Sequence, residues 1–202
     1  RLVIPIVSDK GLIAVKLHRI TGNPDTKTYS ATGSKTFIYP YNTVIKSDQL
    51  LLIEGEPDVL CGFSNDIPSL GIYPCTFTGG ALTFKIEWVQ YFLDKIVYFC
   101  YDNDKAGNLG SEKVLTYLDG RADIRIFKMP PGYKDLRDYF VIGKHTAKDF
   151  QAHLNKPGVI RQYDQYHPIY IKKRLYPILE ESCGDRFKWI GLKSEIDRLF
   201  CL

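Results

Sequence analysis

The sequence of 202 residues holds a single methionine, Met129, and only two tryptophans. Its five cysteines, at positions 61, 75, 100, 183 and 201, include no CxxC pair. An odd number without that spacing argues against a disulfide framework and against a zinc finger, and suits a reducing compartment. No apolar run reaches the roughly 20 residues that a membrane-spanning helix needs. No basic-then-apolar leader is present. The chain opens at Arg1, so these residues are expected to belong to a longer protein. A GxxxxGK[ST] loop is missing, which excludes a helicase motor within them. Repeats and low-complexity tracts are missing too. With 45% hydrophobic residues, wholesale disorder is excluded, and the length suits one large domain or two small ones.

The formal net charge of +4 hides a pattern. Residues 1–49 hold 7 Lys+Arg against 3 Asp+Glu, residues 50–133 hold 7 against 11, and residues 134–202 hold 13 against 9. An acidic middle therefore lies between two basic flanks. Basic flanks suit phosphate-bearing partners and clustered acids suit a divalent cation, although solvated surface alone would give the same totals.

Two apolar runs, Leu2 to Val7 and Leu12 to Leu17, read as strands joined by a hairpin turn at Ser8-Asp9-Lys10-Gly11. Residues 20–36 read as an extended loop. Leu50-Leu51-Leu52-Ile53 has the continuous apolar character of a buried parallel strand. Pro57 then suits a helix's first turn, with Val59, Leu60 and Phe63 on one face. Extended character is expected over 69–77, a helix over 83–93, a strand over 96–101, a helix over 105–118 and a strand over 123–128. This alternation predicts an α/β fold with a mostly parallel sheet flanked by helices. A small β-rich segment precedes it, and helices are expected over 146–155, 171–182 and 192–201, the first opened by a Thr146/Asp149 capping box. The expected division is a basic β-rich segment 1–49, a central domain 50–140 and a helical segment 141–202.

In a parallel sheet, ligands bind beyond the carboxyl ends of the strands. Glu54 follows one strand; Asp102 and Asp104 follow another. If the strands are neighbours, three carboxylates converge, and a divalent cation relieves their repulsion. The alternatives are a helix N-terminal acid at Glu54 and an N-cap at Asp102 or Asp104. A calcium loop starting at Asp102 is excluded, because Ala106 and Lys113 stand where oxygen ligands are required.

Glu54-Gly55-Glu56-Pro57-Asp58 after a buried strand, then Asp102-Asn103-Asp104-Lys105-Ala106-Gly107 after a later one, resembles the TOPRIM domain. That is the metal-binding domain shared by bacterial-type primases, topoisomerases and some nucleases. Thr78-Gly79-Gly80-Ala81-Leu82-Thr83 and Lys134-Asp135-Leu136-Arg137-Asp138 are similar to a small-residue turn and a KD motif of DnaG-type and phage or mitochondrial primase-helicase enzymes. The stretch Arg1 to Arg19, with Lys27-Thr28-Tyr29-Ser30, is similar to the segment preceding TOPRIM in them, which in the family is longer than these 49 residues.

The resemblance implies roles residue by residue. Glu54, Asp102 and Asp104 match the catalytic, metal-binding acids, and Asp135 a further acid near the metals. Asp58 matches a supporting acid. Arg19, Lys27, Gly79, Gly80 and Lys105 match positions that contact nucleotide or nucleic acid. Asp135 with Asp138 could instead cap a short helix, and Arg19 and Lys27 could be solvated charges. The implied function is the catalytic core, or a fragment of it, of a DNA-dependent RNA primase acting in DNA replication. It would use Mg2+ or Mn2+, with no zinc site in these residues. The implied partners are a single-stranded DNA template, ribonucleoside triphosphates, and a replicative helicase or further domains, as in a primosome, with no membrane. The setting implied is a bacterial or phage-infected cytoplasm, or an organelle. A TOPRIM nuclease or topoisomerase-type enzyme, and a non-catalytic nucleic-acid-binding module, are the alternatives.

Overall fold

The structure, a computed structural model, describes residues 1–19, 28–101, 105–157, 159–162 and 176–200. Two compact units are present, Arg1–Gln162 and Tyr163–Leu202. Among the described residues, the first holds a three-stranded and a six-stranded sheet.

The small sheet has the order β1 (Leu2–Ser8), β2 (Gly11–His18), β3 (Thr28–Ser30), all antiparallel. Alternation in β1 buries Ile4 and Ile6, which pack with Ala14, Phe37, Tyr39 and Leu60. A bulge between Ile6 and Val7 keeps this inward set together as the hairpin turns.

The large sheet contains β4 (Ile38–Tyr39), β5 (Gln49–Ile53), β6 (Tyr73–Phe77), β7 (Ile96–Cys100), β8 (Asp123–Phe127) and β9 (Ile160–Gln162). Its order is β4-β6-β5-β7-β8-β9. The four inner strands run parallel, and the edge strands β4 and β9 run antiparallel. Leu50, Leu51 and Leu52 are fully buried, as a strand covered on both faces requires. Helices α1 (Tyr41–Lys46), α2 (Glu56–Ser64), α3 (Lys105–Leu118) and α4 (Ala147–Leu154) complete the unit. In α4 the expected capping box is present, with Thr146 and Asp149 bonded reciprocally. Phe150 and Leu154 of α4 join the same core as Phe127, Tyr139 and Phe140. The compact unit thus continues past residue 140 to Gln162. In the second unit, α5 (Tyr176–Cys183) and α6 (Arg186–Phe200) meet through Tyr176 and Trp189, whose ring centroids lie 5.4 Å apart.

Several local expectations are corrected. The helix expected over 83–93 is two 3₁₀ pieces, Ala81–Thr83 and Ile86–Tyr91, interrupted by extended Lys85. Phe84, Trp88 and Phe92 carry the helical spacing, but all three converge on Phe77, with centroids 4.7–5.7 Å from it. Filling that aromatic cluster outweighs α-helical bonding in a run of weak helix formers. Ile67–Leu70 is likewise a 3₁₀ turn, closed by Gly71 at φ 75°, and the strand begins only at Tyr73. The helix expected from 192 begins at Arg186. Residues 20–27 and 171–175 lie outside the described residues.

Lys16 of β2 reaches Glu56 at the start of α2, with Nζ to Oε1 3.7 Å and both side chains about nine-tenths buried. The pair ties the small sheet to the helix carrying the Glu54–Asp58 motif. Lys16→Met should cost about 3–5 kcal/mol, because Glu56 is left as an uncompensated buried charge. Adding Glu56→Gln should restore most of that loss in urea unfolding, and a double variant no more stable than Lys16→Met would disprove the coupling.

Candidate active site

Strand order sets the site. From β5 the chain moves to β6 on one side and then crosses to β7 on the other. The crevice between the carboxyl ends of β5 and β7 is therefore the topological switch point, where open α/β sheets bind ligands. The two strands pair in parallel with Ile53 opposite Cys100. Glu54 and Tyr101 consequently leave the sheet side by side. Asp102 and Asp104 follow Tyr101 in the sequence and lie outside the described residues, as does Lys27. Lys105 is the first residue of α3.

One cleft is lined by Ile53, Glu54, Asp58, Cys100, Tyr101, Met129, Lys134, Asp135 and Leu136. The structure thus brings together Glu54, Asp58 and Asp135, three of the acids singled out in the sequence. Glu54 is half-buried, and its main-chain carbonyl accepts a 2.9 Å bond from Thr76 Oγ1 of β6. This fixes the backbone from which its carboxylate projects. Burial, with Cys75 and Glu54 nearby, pushes the Tyr101 phenol well above its ordinary value, so it stays neutral.

Asp58 sits in the first turn of α2, where the helix dipole favours an acid, and it is buried. Gly55 caps that helix without a side chain, and a Cβ there would meet Asp58 Oδ2 at 3.4 Å. Arg137 Nε donates to Asp58 Oδ1 at 2.9 Å, and its Nη2 donates to Asp135 Oδ2 at 2.9 Å. Burial alone would lower the Arg137 value, but Asp58 and Asp135 more than offset it and hold the guanidinium above its ordinary range. Asp135 Oδ1 accepts the Asp138 N–H at 2.8 Å, and Asp138 Oδ2 accepts the Lys134 N–H at 3.2 Å. The capping geometry weighed for Asp135 and Asp138 is therefore present, at the start of a π-helix over Asp138–Ile142.

Arg137 was not singled out from the sequence. Its charge within the Lys134–Asp138 motif was a signal, but its partner Asp58 lies far away along the chain. Arg19 is half-buried just beyond β2, and it is not among the residues lining the cleft.

Gly79 and Gly80 form the turn after β6, with φ of 96° and 83°. The turn is fastened by Gly80 N–H to Phe77 O at 2.9 Å and by Thr83 Oγ1 to Gly80 O at 2.7 Å. Thr78 is held to Phe37 by two 2.8 Å bonds, one to its main-chain N–H and one to its hydroxyl.

Oxygen donors of this kind at a sheet's carboxyl edge fit a hard divalent cation. Among the described residues no group of three His, Cys, Asp or Glu side chains is close enough to hold a metal. Asp102 and Asp104, expected from the sequence to join Glu54 in such a group, lie outside the described residues.

The glycine turn gives a test of the local geometry. Gly80→Ala should cost about 1–2 kcal/mol from backbone strain alone, since a Cβ there meets nothing within 4 Å. Gly79→Ala should cost more, because its Cβ would lie 3.0 Å from Thr83 Cγ2. Equal losses for the two in urea unfolding would contradict this geometry.

Comparison with known proteins agrees with the geometry. Residues 51–140 match the family model described as Toprim-like. An uncharacterized protein of Mycoplasma genitalium, MG010, is 27% identical over 114 residues, covering 54% of this chain and 49% of that protein. The zinc-binding and RNA polymerase domains of the Aquifex aeolicus primase superpose with a TM-score of 0.63 at 18% identity, covering 100% of this chain and 52% of that one. The E. coli primase catalytic core gives 0.60 at 19% identity, over 97% and 68%. A chain from a bacteriophage T7 complex of lagging-strand DNA polymerase with gp4 primase domains on an RNA/DNA hybrid gives 0.53 at 18%, over 70% and 69%. The chain spans about half the length of MG010 and of the Aquifex chain. Residues 51–140 thus match the Toprim-like model, in a chain whose fold is similar to that of DnaG-type primase catalytic cores.

Proposed function

We propose that this chain carries the nucleotidyl-transfer site of a DNA-dependent RNA primase. The observation that carries the reading is the placing of Glu54 beside the β7 exit at the switch point of a Toprim-like domain. The likeness to primase cores over the whole chain, and not over the Toprim-like part alone, supports primase over the other Toprim enzymes.

In this reading Glu54, Asp102 and Asp104 hold Mg2+ or Mn2+, which supplies neutralisation of phosphoryl charge and activation of a primer hydroxyl. Asp58, buried under Arg137, supports the loop on which Glu54 stands. Gly79 and Gly80 let the backbone pass close to a phosphate without a side chain in the way. Lys105, Arg19 and Lys27 supply positive charge for triphosphate and template, and such contacts give binding a salt dependence. The partners proposed are single-stranded DNA, ribonucleoside triphosphates, and a replicative helicase or further domains of the same protein. No helix among the described residues is long and apolar enough to cross a membrane.

Labelled ribonucleotide incorporation on single-stranded DNA, with the protein in its full natural length, tests the reading. Glu54→Gln should lower incorporation by at least about 100-fold, the scale of one lost charge-stabilising group, with secondary structure retained. Strand scission without incorporation would replace the primase reading with a nuclease.

A further inference from the structure

The geometry points to Arg137 as a built-in cation. It takes the Asp58–Asp135 side of the acidic edge, confines divalent ions to the Glu54 side, and makes Asp135 a positioning residue in place of a metal ligand. This rests on the metal-dependent reading given above.

Asp58 and Asp135 come from α2 and from the turn before the π-helix, and each side chain is only 11% exposed. Two carboxylates drawn together out of water repel each other and need a shared positive charge. Arg137 supplies it through two nitrogens, each 2.9 Å from a different carboxylate. A planar fork can reach both at once, which a single ammonium point does less well. The Arg137 side chain is 43% exposed, against 11% for each of the two acids it holds. A divalent ion approaching Asp135 therefore meets the repulsion of a positive charge 2.9 Å from its carboxylate.

Both oxygens of Asp135 also carry a hydrogen bond that fixes the side chain. One takes the guanidinium, and the other takes the Asp138 N–H at 2.8 Å. Asp138 in turn accepts from the Lys134 N–H. Leu136, between Asp135 and Arg137 in sequence, is buried in the main core and anchors the turn. A dication bound at Asp135 would sit against the guanidinium charge that the same carboxylate already neutralises. Arg137 binds Asp58 and Asp135, while Glu54 stands at the end of β5, next to the end of β7.

Counting bound Mn2+ by electron paramagnetic resonance on the full chain tests the assignment. Asp135→Asn keeps an oxygen for the cap and should bind Mn2+ with wild-type stoichiometry and affinity within about twofold. Arg137→Gln should take up one additional Mn2+ per chain. Arg137→Lys, which keeps the charge, should not. A tenfold loss of Mn2+ affinity in Asp135→Asn would overturn the proposal, as would a folded Arg137→Gln with no extra ion. If Arg137→Gln does not fold, the Asp135→Asn and Arg137→Lys titrations decide. Glu54→Gln gives the separate control: unchanged Mn2+ binding there would sink the metal reading itself, while the Arg137 comparison would still report on Asp135.

Discussion

The parallel pairing of β5 with β7, Ile53 opposite Cys100, is the constraint on which the site depends. A shift of one residue would reverse which side chains of β5 face each layer. The continuous apolar run of β5 tolerates no polar residue until the strand ends, so Glu54 must stand at the edge. Thr76 of β6 then grips the Glu54 carbonyl from the other side. The three central strands thus jointly define one backbone position, and this position lies where the strand order reverses.

Charge compensation follows from that crowding. The Glu54–Asp58 segment packs three acids into five residues, and two of them are buried. Each buried acid is answered from a different part of the chain. Lys16 reaches Glu56 from the small sheet, and Arg137 reaches Asp58 from beyond β8. The basic flanks seen in the sequence therefore have a structural task as well as any role in binding phosphate. Neutralising the wrong member of either flank would loosen α2 before it altered affinity for nucleic acid.

The parallel core was legible because its signals are local and long enough: apolar runs at β5 and β7, Pro57 in the first turn of α2, and the Thr146 capping box. Elements without such signals were not legible. β4 and β9 span two and three residues, too short for any period to show. The stretch 83–93 carried a true helical spacing that reports aromatic burial against Phe77 and not α-helical bonding. In the site, Glu54 and the Asp135–Asp138 cap could be read from neighbours in sequence. The Arg137–Asp58 bond could not, because only the fold brings α2 against the turn after β8.

That turn is held at both ends by hydrogen bonds and ring packing. Gly143 N–H bonds to Asp138 O at 2.9 Å and closes the π-helix, a widened turn that inserts a residue and re-aims what precedes it. Gly143 has no room for a side chain: a Cβ would lie 2.5 Å from Tyr139 O and 2.7 Å from His145 Cδ2. His145 stacks on Tyr139 with centroids 4.3 Å apart, and its Nε2 lies 2.9 Å from the Tyr133 hydroxyl. Tyr133 and Tyr139 bracket the Lys134–Asp138 motif in sequence, so this cluster clamps both of its ends. The motif's Asp135 and Arg137 then carry the ion pairs while Leu136 serves packing. A fork that must meet two carboxylates at hydrogen-bond distance needs such a mount, since side-chain entropy would otherwise scatter a long, partly exposed arginine.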